Sequence, residues 1–321
     1  MKPVVLAIVG PTGSGKTGTA IRLCQRMNAE IVSMDSMQIY RRMDIGTAKP
    51  SKEEQSAAKH HMIDIVEPDQ LFTVSMYREM AMQAIDDIIS RGKIPILVGG
   101  TGLYLQALSY EMSLGENGAN CELREKLNKI ASEPGGPDEL HRRLSEIDPL
   151  SAKKLHPHDT RRVIRALEIF ETTGKMKGEQ GEQANKEGPY HIMVYGLSMP
   201  RDLMYARINK RVDQMIDCGL VDEVKTLLQD GISPRKEGGA MQAIGYKEIV
   251  SALQGEICLD DAISLIKQGS RRYAKRQWTW FRRDKRTQWF DWTTYDSSEA
   301  LLESLYQKIQ TDISAYITHQ S

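Results

Sequence analysis

No surplus of charge of either sign marks this chain: 43 Lys and Arg balance 43 Asp and Glu over 321 residues. Global charge therefore announces no nucleic-acid partner, and any basic surface has to be local. No C-x-x-C pair occurs. The four cysteines, Cys24, Cys121, Cys218 and Cys258, are far apart and read as free thiols of a reducing cytoplasm. No stretch approaches the roughly eighteen apolar residues of a membrane helix, so no membrane association is expected. The leading apolar run is short and flows straight into a motif, which makes it a strand rather than a secretory segment. No zinc-finger pattern closes the chain. What is left, 40% hydrophobic and 27% charged residues, is ordinary for a soluble globular protein of about two domains.

What is present starts with the strand-like run Val4–Val9, which enters GPTGSGKT at residues 10–17. Beyond it Ala20, Leu23, Cys24 and Met27 recur at helical spacing. This is G-x-x-x-x-G-K-[ST] in the strand–loop–helix context the motif needs. Its glycines let backbone N–H groups curl around an anion, and the helix N-terminus adds a positive dipole end. Lys16 is placed to reach terminal phosphates and the Thr17 hydroxyl to hold Mg²⁺. The loop predicts a bound polyphosphate.

Further short apolar runs at 31–34, 62–66 and 94–98 read as strands, and Met76, Met80, Ala84 and Ile88 mark a helix between the last two. Strands alternating with helices predict an α/β fold with a parallel sheet. Ligands gather at the carboxyl ends of such strands, where the P-loop, Asp35-Ser36 and Gly99-Gly100-Thr101 all fall. From about residue 114 the texture changes. GENGAN, EPGGPD and GEQGEQANKEGP are turn or linker signals between helical stretches of mixed charge. We read 114–188 as a helical insertion in a core made of 1–113 and 189–321. Its clearest helix is 159–173, with Asp159 as N-cap and Gly174 just past the end. A strand at 191–199 returns to the core, followed by helices over 204–228 and 265–283.

NTP-hydrolysing P-loop proteins usually carry an apolar strand ending in an acid that holds Mg²⁺. Here KIPILVGGTGLY ends in glycines and Thr101. The acid comes early, at Asp35, where it is better placed as a base on the acceptor side than as a metal clamp; a turn-capping carboxylate is the alternative. His60-His61 point to opposite faces of an extended chain and read as packed or hydrogen-bonded residues, not a metal site. Two helices carry segregated basic faces. Arg161, Arg162 and Arg165 oppose Val163, Leu167 and Phe170; Arg271, Arg272, Lys275, Arg276, Arg282 and Arg283 oppose Tyr273, Trp280 and Phe281. Two such faces on a neutral protein argue for a phosphate backbone nearby, with solvated surface as the plain alternative. Arg207 and Arg211, one turn apart, are candidates for a lid over the P-loop, or for ordinary surface pairs.

GPTGSGKT, DSMQIYRRMDIGTAKP (35–50), HHMIDI (60–65), ILVGGTGLY (96–104), DTRRVIRALEIFETTGK (159–175), GYKEI (245–249) and RRYAKRQWTWFR (271–282) together resemble the bacterial tRNA dimethylallyltransferases, also called tRNA isopentenyltransferases. The resemblance implies a P-loop nucleotide-kinase-like core with a parallel sheet and an inserted all-helical, tRNA-binding domain. It implies transfer of dimethylallyl from its diphosphate to N6 of the adenosine 3′ of the anticodon. Gly10, Thr12, Gly13, Ser14, Gly15, Lys16 and Thr17, with Arg207 and Arg211, would hold the diphosphate, and Thr17 the Mg²⁺. Asp35 would be the base for N6, and Thr101 would aid the leaving group. Asp35, Ser36, Met37, Gln38 and Thr101 would meet the target nucleotide. Asp159, Thr160, Arg161, Arg162, Val163 and Arg165, with Arg271, Lys275 and Arg276, would contact the rest of the tRNA anticodon stem-loop. The chain is expected to act as a monomer. Gly13 stands where relatives often have Ala, and the segment GKMKGEQGEQ is more polar than in the family. The competing expectation is a small-molecule or nucleotide kinase built on the same P-loop core.

Overall fold

Val4–Val9 (β1) is apolar at every position, the signature of a strand covered on both faces. The computed structural model describes residues 1–111, 121–174, 176, 186–234 and 239–319. With β1 it pairs β2 (Ala29–Met34), β3 (His60–His61), β4 (Ile94–Gly99), β5 (His191–Ser198) and β6 (Gln288–Asp291). The order is β3-β2-β4-β1-β5-β6, and every pairing is parallel. Side chains alternate across β1. Val5, Ala7 and Val9 join Tyr77 and Ile85 of the helix Val74–Ser90 on one face. Leu6 and Ile8 join Leu23 of the helix Lys16–Arg26 and Leu301 and Leu305 of the helix Ser298–Thr318 on the other. A helix-rich core beside the sheet gathers Ile39, Tyr40 and Met43 with Leu220, Val224 and Tyr246.

The chain forms two compact units, Met1–Leu108 with Pro189–Ser321, and Ser109–Gly188. The second has its own core, in which Leu127, Leu140, Leu144, Val163 and Leu167 meet from the helices Cys121–Ser132, Gly136–Ile147 and Thr160–Thr173. The turn signal at 115–120 and most of the linker expected at 178–188 lie outside the described residues. Among the described residues no helix is long and apolar enough to cross a membrane.

Three expectations need correction. The strand read at 62–66 is instead His60–His61, because Met62 and Asp64 take positive φ (63° and 55°) and break the pairing. The helix read over 204–228 is two, Arg201–Asp217 and Leu220–Gln229, parted at Gly219 with φ 98°. That turn sends Leu220, Val224 and Leu227 into the core beside Tyr246. The helix read from 265 starts at Leu259, where Cys258 accepts from the Asp261 N–H as its cap.

Candidate active site

The P-loop closes by left-handed backbone at Gly13 (φ 83°) and Gly15 (φ 85°), a conformation that costs glycine little. Gly10 enters the loop so close to β5 that a Cβ there would lie 2.5 Å from the Leu197 carbonyl. The Ser14 hydroxyl is buried without a hydrogen-bond partner among the described residues. Lys16 folds back to donate to the Pro11 carbonyl at 2.7 Å. Burial and the nearby Arg211 push its pKa down to about 7, against the opposing pull of Asp35. Thr17 follows in the first turn of the helix Lys16–Arg26. Gly13, Gly15, Lys16 and Thr17, together with Asp35, Arg211, Tyr273 and Gln277, line a cleft of about 720 Å³.

Asp35 follows the last residue of β2. Its Oδ1 accepts the N–H groups of Met37 (2.9 Å) and Gln38 (3.4 Å). Oδ2 makes no hydrogen bond among the described residues. Burial raises the carboxyl pKa, although the two N–H groups and Lys16 oppose it. Ser36 and Met37 line the cleft. The Gln38 amide is tied within its own loop, donating to the carbonyls of Thr47 (3.3 Å) and Ala48 (3.2 Å) and accepting from the Ser33 hydroxyl (3.2 Å). Thr101 donates its N–H to the Met34 carbonyl at 3.2 Å, and its buried hydroxyl faces Tyr273. Burial and the charge of Asp35 push Tyr273 up to about 12, so it stays a neutral hydroxyl.

Of the two arginines considered for a lid, Arg211 reaches the cleft and its Nη1 donates to the Thr12 hydroxyl at 3.4 Å. Arg207 stays exposed with its guanidinium over the Trp292 ring at 5.7 Å. Trp292 itself donates to the Ser14 carbonyl at 2.7 Å and leans on Gly15, where a Cβ would lie 2.9 Å from the indole. Sequence reading missed this tryptophan. It also missed Gln277, which accepts from the Thr12 N–H at 2.8 Å and donates to the Gly100 carbonyl at 3.0 Å. A third omission is Glu223. Its carboxylate accepts the N–H groups of Asp44 (2.9 Å), Ile45 (2.8 Å) and Gly46 (3.2 Å) and the Tyr246 hydroxyl (2.6 Å). That anchors the loop whose Thr47 and Ala48 line the cleft.

The two basic faces differ. Asp159 caps by position but its side chain pairs with Arg162 at 2.9 Å. Thr160 is half-buried and Arg161 exposed. Val163 is fully buried in the helical core, which removes its side chain from any ligand surface. Arg165 bonds the buried Glu168 at 2.7 Å, and Arg124 reaches the same carboxylate at 2.9 Å. On the helix Leu259–Arg283, Arg271 donates to Asn209 Oδ1 at 2.6 Å, whereas Lys275 and Arg276 are exposed. Arg276 lies over the Tyr273 ring at 5.6 Å and lines the cleft. His60 and His61 each have their own partner, the Ala58 carbonyl and the Glu30 carboxylate, both at 2.7 Å. Among the described residues no group of three or more His, Cys, Asp or Glu is gathered to hold a metal.

The family model described as IPP transferase matches residues 38–284. The "tRNA dimethylallyltransferase" of Oceanobacillus iheyensis is 44% identical over 321 residues, the whole of both chains. The solved full-length tRNA isopentenylpyrophosphate transferase of Bacillus halodurans superposes with a TM-score of 0.73 at 43% identity, covering 99% of this chain and 100% of that one. A eukaryotic dimethylallyltransferase described as acting on tRNA gives a TM-score of 0.76 at 32% identity, over 90% of this chain and 74% of its own.

Proposed function

Because this chain belongs to the IPP transferase family, we propose that it moves the dimethylallyl group of dimethylallyl diphosphate onto N6 of the adenosine 3′-adjacent to the anticodon in tRNA. The observation that carries the reading is the half-buried Asp35 carboxylate, one oxygen held by two N–H groups, in the same cleft as a P-loop. The bond from the allylic carbon to the diphosphate oxygen breaks, and a bond from that carbon to N6 forms. The N6 proton passes to Asp35 Oδ2, and the diphosphate leaves into the P-loop. An exocyclic adenine amine is a poor nucleophile, since its lone pair is delocalised, so a base with a raised pKa helps as the C–N bond forms.

Lys16, Arg211 and the N–H groups of Gly13, Ser14 and Gly15 would receive the diphosphate charge. Thr17 offers a single hydroxyl, which suits a Mg²⁺ held mostly by substrate oxygens and water. Bound there, the ion would neutralise charge on the departing group. The buried Ser14 hydroxyl, unpartnered among the described residues, fits as a donor that a substrate oxygen completes, with Thr101 beside Tyr273 as a second. To reach N6 the base must leave its stack, which costs little in an anticodon loop. Arg161 and Arg162, with Lys275 and Arg276, are the cations we assign to tRNA phosphates. The enzyme then works where tRNA is, in the cytoplasm, as a monomer.

The test supplies purified protein, Mg²⁺ and unmodified tRNA with either dimethylallyl diphosphate or ATP, and weighs nuclease fragments of the tRNA. One isopentenyl unit on the anticodon-loop fragment, with dimethylallyl diphosphate only, is expected. Unmodified tRNA together with steady ATP consumption would replace this reading with a kinase.

A further inference from the structure

The ladder between β1 and β4 ends at the pair Val9↔Gly99. Beyond it the two chains part, one into the P-loop and the other into the turn that carries Thr101. Among the described residues no backbone hydrogen bond joins 10–15 to 100–102. Gln277 reaches into this gap from the helix Leu259–Arg283 and is only 5% exposed. Its Oε1 takes the Thr12 N–H and its Nε2 gives to the Gly100 carbonyl. A peptide N–H only donates and a carbonyl only accepts, so both partners dictate the same amide orientation. The bridge has room because residue 100 is glycine: a Cβ there would lie 1.8 Å from Nε2.

We propose that Gln277 is a positioning residue that holds the diphosphate cradle and Thr101 at their working separation, taking over where the β1–β4 ladder stops. The inference rests on the prenyl-transfer reading. Hydrogen-bonded strands keep a spacing of about 4.8 Å, and one amide bonded to both loops carries that restraint a step past the sheet. The restraint matters because reacting groups misplaced by about 1 Å cost on the order of a hundredfold in rate. Gln277 touches neither reacting atom in this scheme. It acts through Thr12 and through the turn of Thr101.

Three variants separate the parts of the bridge. Gln277→Glu keeps an acceptor for Thr12 and loses the donor for Gly100. Gln277→Leu loses both, and Gly100→Ala removes the seat while leaving the amide. In each, Mg²⁺-dependent binding of inorganic pyrophosphate is titrated beside binding of an anticodon stem-loop RNA and chemical denaturation. Gln277→Leu and Gly100→Ala should each weaken pyrophosphate about tenfold, the size of one hydrogen bond facing charge. RNA affinity should stay within about twofold, since the cations assigned to tRNA phosphates are untouched. Their combination should lose no more than either alone, because both break one bridge. Gln277→Glu should weaken pyrophosphate most, since it adds like charge near the cradle. Unchanged pyrophosphate affinity, additive losses, or pyrophosphate and RNA binding falling together would each overturn the positioning role. Wild-type protein that binds RNA but ignores pyrophosphate would overturn the prenyl-transfer reading and this inference with it.

Discussion

The cleft and the helical unit treat charge in opposite ways. In the unit Ser109–Gly188, Glu168 is buried between Arg124 and Arg165, and Arg162 answers Asp159. Burial works against the Glu168 charge, yet the two guanidiniums outweigh it and hold its carboxyl below the usual range. In the cleft, Lys16 and Asp35 are both shifted toward their neutral forms, and Asp35 Oδ2 has no hydrogen-bond partner among the described residues. Buried polar groups in folded proteins are normally satisfied. Where they are left open, a ligand is the natural partner. The same contrast sorts the basic side chains: Arg165 is paired with Glu168, whereas Lys275 and Arg276 are exposed, Arg276 over the Tyr273 ring.

Asp35→Ala should give the largest effect, a fall of about 10²–10⁴ in single-turnover rate. Affinity for tRNA should hold, while melting temperature should fall slightly because the Met37 and Gln38 N–H groups lose their acceptor. A wild-type rate would remove Asp35 from the chemistry. Glu168→Ala should show the reverse profile. It should cost about 2 kcal/mol in urea unfolding, less than a fully buried pair because both guanidiniums are part-exposed. No loss of stability would mean the Glu168 pairs do not hold the unit together.

The next effect is one of pH. Free Lys16 loses its proton above about 7, while bound diphosphate keeps it charged. Affinity for dimethylallyl diphosphate should therefore be full below that pH and fall toward tenfold per unit above it. Lys16→Arg should flatten the profile, and a profile that is flat in the wild type would remove this coupling. Smallest is the basic face of the helix Leu259–Arg283. Reversing Lys275 and Arg276 to Glu should weaken tRNA several-fold and flatten the log–log salt slope by about 1 to 2. Arg165→Glu should change stability rather than slope; equal slopes in both variants would erase the distinction between the two faces.

Features that depend on neighbours in sequence were legible. The P-loop, the Gly99-Gly100-Thr101 turn and Asp35 announce themselves because a strand, its loop and the next helix are contiguous. The end of the helix Thr160–Thr173 was equally plain, since Gly174 takes the left-handed cap that few residues adopt. Gln277 and Trp292 were not legible, because their partners Thr12 and Ser14 lie 265 and 278 residues away. An apolar face gives no hint that one glutamine on it is a bridge. The pairing of Arg165 was hidden for a related reason. Helical periodicity shows that it shares a face with Arg161 and Arg162, but not that a buried glutamate one turn on claims it. Gly219 looked tolerable within a helical run, and only the packing of Leu220 and Val224 explains why the chain turns there.

The position of β1 in the sheet sets a problem for the chain as it is made. β4, on one side of β1, is synthesised early, but β5, on the other, follows only after the unit Ser109–Gly188 has emerged. At about 5–20 residues per second, the ribosome takes on the order of 5–20 s to cross that interval. Until then a nascent half-sheet of β3, β2, β4 and β1 presents Val4–Val9 as an open edge, apolar on both faces, the kind of edge that recruits foreign strands. Long-range closure of this sort is slow as well as late. The step most exposed to aggregation is therefore the arrival of residues 191–198, and chaperone demand should rise if translation stalls between β4 and β5.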